Sequence, residues 1–135
     1  MPASFFDTNV LLYLVSEDSL KADQAEHCLA NGGAISIQVL NEIANVSRRK
    51  MHRSGDQTRA LLTTIRALLE VHPLTIEVHE TGLGLAERYG LSIYDAMIVA
   101  SALHADCEVL WSEDMQHGMV IEGRLRIVNP FHSAP

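Results

Sequence analysis

The chain has 135 residues, 47% of them hydrophobic and 20% charged, which fits one domain over residues 1–135, since a domain usually takes roughly 100–200 residues. Ten Lys and Arg against seventeen Asp and Glu give a formal charge of −7. That excludes a protein whose main task is to coat nucleic acid with a basic face, and leaves room for an enzyme that meets RNA or DNA at one site.

Short apolar runs alternate with longer segments of helical period, the pattern of an α/β chain. Ala3-Ser4-Phe5-Phe6-Asp7 predicts a buried strand, followed by a helix through Val10, Leu11, Leu12 and Leu14. A polar helix is expected from about Ser19 to Ala30, closed by Gly32-Gly33, where glycine is favoured. Ala34-Ile35-Ser36-Ile37 is the next strand, leading into a helix from about Gln38 to Lys50. Gly55 to Glu70 carries the 3.6-residue pattern in Leu61, Leu62, Ile65, Leu68 and Leu69. Val71 to Leu74 reads as a brief strand or connection. Further helices are expected from about Glu77 to Tyr89 and from Ile93 to Ala105, and strands at Cys107–Trp111 and Leu125–Val128. Strands separated by helices imply a mainly parallel sheet covered on both faces, whose functional residues collect at the carboxyl ends of the strands.

Two cysteines, Cys28 and Cys107, are too few and too far apart for a disulfide framework or a zinc site. No apolar stretch reaches the roughly 18 residues of a membrane span. The first Lys is Lys21, so the N-terminus lacks the basic start of a secretory signal. A cytoplasmic protein is the expectation.

Three apolar segments each hold one lone acid. Asp7 is the only charged side chain from Met1 to Ser16, Glu42 from Cys28 to Ser47, and Asp95 from Tyr89 to Ala105, leaving aside His104. A carboxylate in apolar surroundings costs several kcal/mol unless it is paired or bound to metal. Glu42 lies three residues after Val39 and four before Val46, on the predicted buried stripe. Asp95 has Ile98, Val99 and Ala102 on its side of the helix. A fourth acidic site, Glu113-Asp114, follows the strand ending at Trp111.

Each acid alone also has a plain structural explanation. Asp7 fits a helix N-cap, Ser92-x-x-Asp95 resembles a capping box, Glu42 fits a solvated helix face, and Glu113-Asp114 fits a turn. Together, the four fall where the sheet rule would gather them on one rim. Carboxylates without Cys or closely spaced His make a hard oxygen site suited to Mg²⁺ or Mn²⁺. Such ions bind phosphate oxygens and activate water, so a phosphodiester is the natural substrate. Gly32-Gly33 and Gly82-x-Gly84 match neither the Rossmann nor the P-loop pattern.

Phe6-Asp7-Thr8-Asn9-Val10-Leu11-Leu12-Tyr13, the Glu42 helix, Tyr94-Asp95-Ala96-Met97-Ile98-Val99-Ala100 and Trp111-Ser112-Glu113-Asp114-Met115 resemble a PIN domain, and within it the VapC-type toxins of bacterial toxin–antitoxin pairs. The order and spacing fit over essentially the whole chain. The resemblance implies a Rossmann-like three-layer α/β/α sandwich and a Mg²⁺-dependent endoribonuclease with Asp7, Glu42, Asp95 and Asp114 as its acidic quartet and metal site. Thr8, Asn9 and Ser112 would orient carboxylates or the attacking water. It also implies a homodimer, a cognate antitoxin and an RNA substrate such as tRNA or rRNA. Many VapC toxins carry Trp where Tyr94 stands here. Glu113 beside Asp114 leaves open which acid points inward.

Arg48, Arg49, Lys50 and Arg53 hold four of the ten cations within six residues. Steering of an RNA phosphate and a helix end stabilised by basic residues both fit them. His117 reads as a loop histidine, and the Met residues and Trp111 as packing. Phosphatases of the haloacid-dehalogenase type need a second Asp where Asn9 stands. A response-regulator receiver needs a late Lys, and no Lys follows Lys50. The remaining alternative is a non-catalytic PIN-like module that binds protein or RNA.

Overall fold

The computed structural model describes residues 4–132, so Ala3 of the first expected strand lies outside the described residues. Strands β1 (Ser4–Phe6), β2 (Ala34–Ser36), β3 (Glu70–His72), β4 (Val109–Trp111), β5 (Val120–Ile121) and β6 (Leu125–Val128) form one sheet in the order β3-β2-β1-β4-β6-β5. Every pairing is parallel except β5 against β6. Six helices flank the sheet: α1 (Thr8–Leu12), α2 (Ser19–Leu29), α3 (Ile37–Arg49), α4 (Gly55–Leu68), α5 (Ile76–Tyr89) and α6 (Ile93–His104). The expected α/β/α sandwich is the observed architecture.

Helical cover on the sheet explains the apolar runs. Phe5 and Phe6 are both fully buried although they point to opposite faces, and Ile35, Leu110 and Ile127 are equally enclosed. Helix starts are set by side chains. Asp7, Asp18, Ser36, Ser54, Thr75 and Ser92 each accept a backbone N–H at the head of α1 to α6 in turn. Helix α6 buries every residue from Ala96 to Leu103, because small side chains at Ala96, Ala100 and Ala102 let it pack on several sides at once.

The chain runs outward from β1 to β2 and β3, then returns to place β4 on the other side of β1. That reversal is a topological switch point, where the carboxyl ends of two adjacent parallel strands open a crevice. Phe6 pairs with Trp111 at the end of β1 and β4, so Asp7 and Ser112 emerge side by side.

The structure differs from the expected elements in a few places. The first helix stops at Leu12 and tightens into a 3-10 turn over Tyr13–Val15. The strand expected over Cys107–Trp111 is confined to Val109–Trp111. β5 has no counterpart among the expected elements: its two residues, Val120 and Ile121, are too few to display a period. In the turn that follows, Glu122 (φ 51°) and Gly123 (φ 66°) are left-handed. Arg88 holds the Glu122 carboxylate at 2.7 and 2.8 Å. The Tyr89 hydroxyl accepts from the Glu122 N–H and donates to its carboxylate, both at 3.0 Å. Cys28 and Cys107 are free thiols.

Gly33, with φ 152°, carries the chain into β2 so close to β1 that a Cβ there would lie 2.6 Å from a Phe6 ring carbon and 2.8 Å from the Ser4 carbonyl oxygen. Gly33→Ala should therefore lower stability by about 2 kcal/mol. Urea denaturation checks it through a reduced midpoint with an unchanged slope.

Candidate active site

Four separate segments meet at the switch point. Asp7 follows β1, Glu42 lies on α3, Asp95 is in the first turn of α6, and Asp114 is three residues past β4. With Thr8 and Asn9 they line one cleft of about 290 Å³.

Asp7 is the innermost, only 5% exposed. Its Oδ1 accepts the Thr8 N–H at 2.7 Å and its Oδ2 the Ser112 hydroxyl at 2.8 Å. Burial pushes its pKa up to about 6, against the lowering effect of those two bonds, and the Asp95 and Glu42 charges push it the same way. Asp95 is half-buried, and its pKa is also raised, by burial and by the nearby Asp114 charge. Ser92 accepts the Asp95 N–H at 3.1 Å. Among the described residues the Asp95 carboxylate makes no bond to the Ser92 N–H, so only half of the expected capping box forms; the Ser92 side chain acts on the carboxylate in the lowering direction, and Asp95 still lines the cleft.

Glu42 is held on both oxygens. The Thr8 hydroxyl donates to Oε1 in a short bond, and Gln38 Nε2 approaches Oε2 at 3.3 Å. Asp114 is exposed. Asn9 Nδ2 donates to Asp114 Oδ2 at 3.0 Å and to Asp7 Oδ2 at 3.3 Å, while Asn9 Oδ1 accepts the Glu113 N–H at 3.0 Å. Asn9 thus ties the two strand ends together. None of the four acids has a Lys, Arg or His ion-pair partner among the described residues.

The donors facing the cleft are carboxylate oxygens, the chemistry that a hard divalent cation requires. Burial is the main cause of the raised Asp7 and Asp95 pKa values, and the smaller push from the neighbouring carboxylates is the repulsion such a cation would relieve. No three His, Cys, Asp or Glu side chains among the described residues are gathered into a ready-made metal cage, and Glu42 is drawn to Thr8 and Gln38 instead.

The two acids of the Glu113-Asp114 pair are placed differently. Glu113 bonds to Tyr13 and Lys21, and Asp114 lines the cleft. The basic run divides similarly. Arg48 and Arg49 sit in the last turn of α3 and, with Lys50, are exposed. Arg53 instead lines a groove that shares Asn9, Leu12 and Val46 with the cleft. His117 accepts the Asn129 N–H at 3.0 Å and stacks on His132, the loop role expected of it. Sequence reasoning missed Gln38, which also donates to the Tyr94 carbonyl at 2.9 Å and so ties α3 to the start of α6. Its spacing four residues before Glu42 was the available signal. The partnership of Lys21 and Tyr13 with Glu113 had no local signal.

The PIN domain sequence model matches residues 4–118, and the chain belongs to the PIN domain family. The solved structures it resembles include several of toxin–antitoxin systems, in agreement with the VapC-type motifs. One is a toxin–antitoxin complex from Klebsiella pneumoniae, with 26% identity, TM-score 0.73, and 96% of this chain and 99% of that chain covered. Another is DNA-bound VapBC from Salmonella typhimurium, with 18% identity, TM-score 0.71, and 94% and 97% covered. A third is VapC20 from Mycobacterium tuberculosis, a toxin that cleaves the sarcin-ricin loop, with 19% identity, TM-score 0.66, and 82% and 89% covered. No curated protein matches the sequence.

Because the folded pKa of Asp7 lies above its ordinary 3.8, the protonated side chain favours the folded state. That contribution is complete below about pH 4 and is lost as pH rises through about 6. Asp7→Asn keeps a capping side chain and removes the buried charge. In metal-free buffer at pH 7.5 it should stabilise the fold by up to about 3 kcal/mol. The gain should vanish near pH 4. Chemical denaturation at the two pH values checks both; a variant less stable than wild type at pH 7.5 would show that capping outweighs charge burial.

Proposed function

We propose that the protein is a divalent-metal-dependent endoribonuclease, the toxin of a type II toxin–antitoxin pair. The observation that carries this reading is the convergence of four carboxylates, without ion-pair partners among the described residues, from four segments on the cleft at the sheet's switch point. Asp7 and Asp95 would hold Mg²⁺ or Mn²⁺, with Glu42 and Asp114 completing the site directly or through water. Such an ion, when bound, neutralises phosphate oxygens and lowers the pKa of a water molecule for in-line attack.

The chain's own residues supply orientation. Ser112 and the Thr8 N–H hold the two oxygens of Asp7, the Thr8 hydroxyl holds Glu42, and Asn9 spans Asp7 and Asp114. A charged ligand set fixed by hydrogen bonds before substrate arrives reorganises little during reaction. Arg53, in the adjoining groove, is placed to meet an RNA phosphate, whereas Arg48, Arg49 and Lys50 would add only diffuse attraction from the end of α3.

The fold also supports partners. Ile76 is 67% exposed and Tyr94 70%, with Leu74 and Ile93 beside them along a shared groove; we assign this apolar face to a homodimer contact. A cognate antitoxin is proposed from the toxin–antitoxin neighbours. Among the described residues, no helix is long and apolar enough to cross a membrane, and a cytoplasmic location is proposed with the function.

The test incubates antitoxin-free protein with tRNA and rRNA fragments in Mg²⁺, Mn²⁺ or EDTA. Discrete cuts are expected with metal and none with EDTA. Asp7→Asn and Asp95→Asn should each reduce the rate at least about a hundredfold, more than is typical of losing a group that merely supports a ligand. Equal cutting by wild type and both variants would overturn the assignment. Tight partner binding with neither cutting nor metal binding would identify a non-catalytic PIN-like module.

A further inference from the structure

The turn after β4 places its two adjacent acids in adjoining sites, Asp114 in the cleft and Glu113 in the neighbouring groove, where a cluster holds it. Lys21 Nζ, on α2, lies 2.6 Å from Glu113 Oε2, and the Tyr13 hydroxyl donates to Glu113 Oε1 at 2.8 Å. Lys21 also donates to the Tyr13 hydroxyl at 3.1 Å. Its ammonium lies 4.7 Å from the Tyr13 ring centre and 5.0 Å from that of Phe131, and the two rings meet edge to face. The Lys21 and Glu113 side chains are only 31% and 22% exposed. The pair is therefore less screened than a surface ion pair, and the aromatic faces favour the cation further.

On the other side of the same turn, the Glu113 N–H is anchored to Asn9, whose amide donates to Asp114. Holding the Glu113 side chain and backbone at once leaves the turn little freedom, and Asp114 is the acid left facing the cleft.

We propose that Lys21 is a positioning residue for the metal site: by holding Glu113 with Tyr13, it fixes the turn that presents Asp114 through Asn9. This rests on the metal-nuclease reading above. Lys21 bonds to none of the four cleft acids among the described residues, so its influence must pass through Glu113. Without Lys21, Glu113 keeps only the Tyr13 hydroxyl. Its unpaired charge then competes with Asp114 for the same turn geometry.

Mn²⁺ binding to the full chain, measured by calorimetry without RNA, tests this alongside cleavage as a function of metal concentration. Lys21→Met should weaken Mn²⁺ binding roughly tenfold, the scale at which groups that orient ligands act. The metal concentration for half-maximal cleavage should rise with little change in the maximal rate. Lys21→Arg should recover most of the affinity. Glu113→Gln should weaken binding by itself, and adding Lys21→Met to it should change nothing more, since coupled residues are non-additive. Wild-type affinity in Lys21→Met, or fully additive losses in the double variant, would overturn the proposal. If Lys21→Met fails to fold, wild-type affinity in Glu113→Gln overturns it equally. A wild-type protein that binds no Mn²⁺ would instead overturn the metal-nuclease reading, and the proposal with it.

Discussion

The Asp7 carboxylate is buried at the end of a strand, directly after the fully buried Phe5 and Phe6, and the molecule is arranged around keeping it there. Its charge is tolerated because a backbone N–H at the head of α1 and the hydroxyl of Ser112 point at its two oxygens. The Thr8 N–H is next to Asp7 in the chain, but Ser112 follows β4, so its hydroxyl meets Asp7 only if β1 and β4 pair with Phe6 opposite Trp111. A slip of one residue would turn Ser112 away and leave the charge without its partner. Strand register and site geometry are therefore the same constraint.

From that point the polar network spreads in two directions. Thr8, next to Asp7, reaches across to Glu42 on α3, and Gln38 on the same helix reaches the start of α6. Asn9 bridges to the turn after β4. Three consecutive residues, Asp7 to Asn9, thus touch the elements that bear the other three acids or their supports. The net charge of −7 is accordingly uneven. Glu113 and Glu122 have basic partners, whereas the acids of the cleft repel one another.

Much of this was legible in the sequence because it depends on local chemistry. Lone acids inside apolar runs marked Asp7, Glu42 and Asp95, since few structural roles justify an unpaired carboxylate there. Two of the helix caps, Asp7 and Ser92, were readable as well. What was not legible depends on distant partners or on brevity. Glu113 and Asp114 are chemically near-equivalent in sequence, and only the arrival of Lys21 from 92 residues away separates them. β5 is two residues long and is defined by its pairing with β6. Arg53 differs from Arg48 and Arg49 because the chain has left α3 and turned before reaching it, which no spacing rule shows.

That late antiparallel strand also bears on how the protein behaves in a crowded solution. A four-residue β6 at the margin of the sheet would offer a free ladder of N–H and C=O groups to any passing extended chain. β5 occupies part of it, yet is itself too short to act as a template. The left-handed turn that ends β5, clamped to α5 through Arg88 and Tyr89, folds the chain straight back into β6 and fixes this short hairpin. The sheet therefore terminates on this side in a two-residue edge, and the exposed Arg126 of β6 adds a charge that further discourages edge-to-edge association.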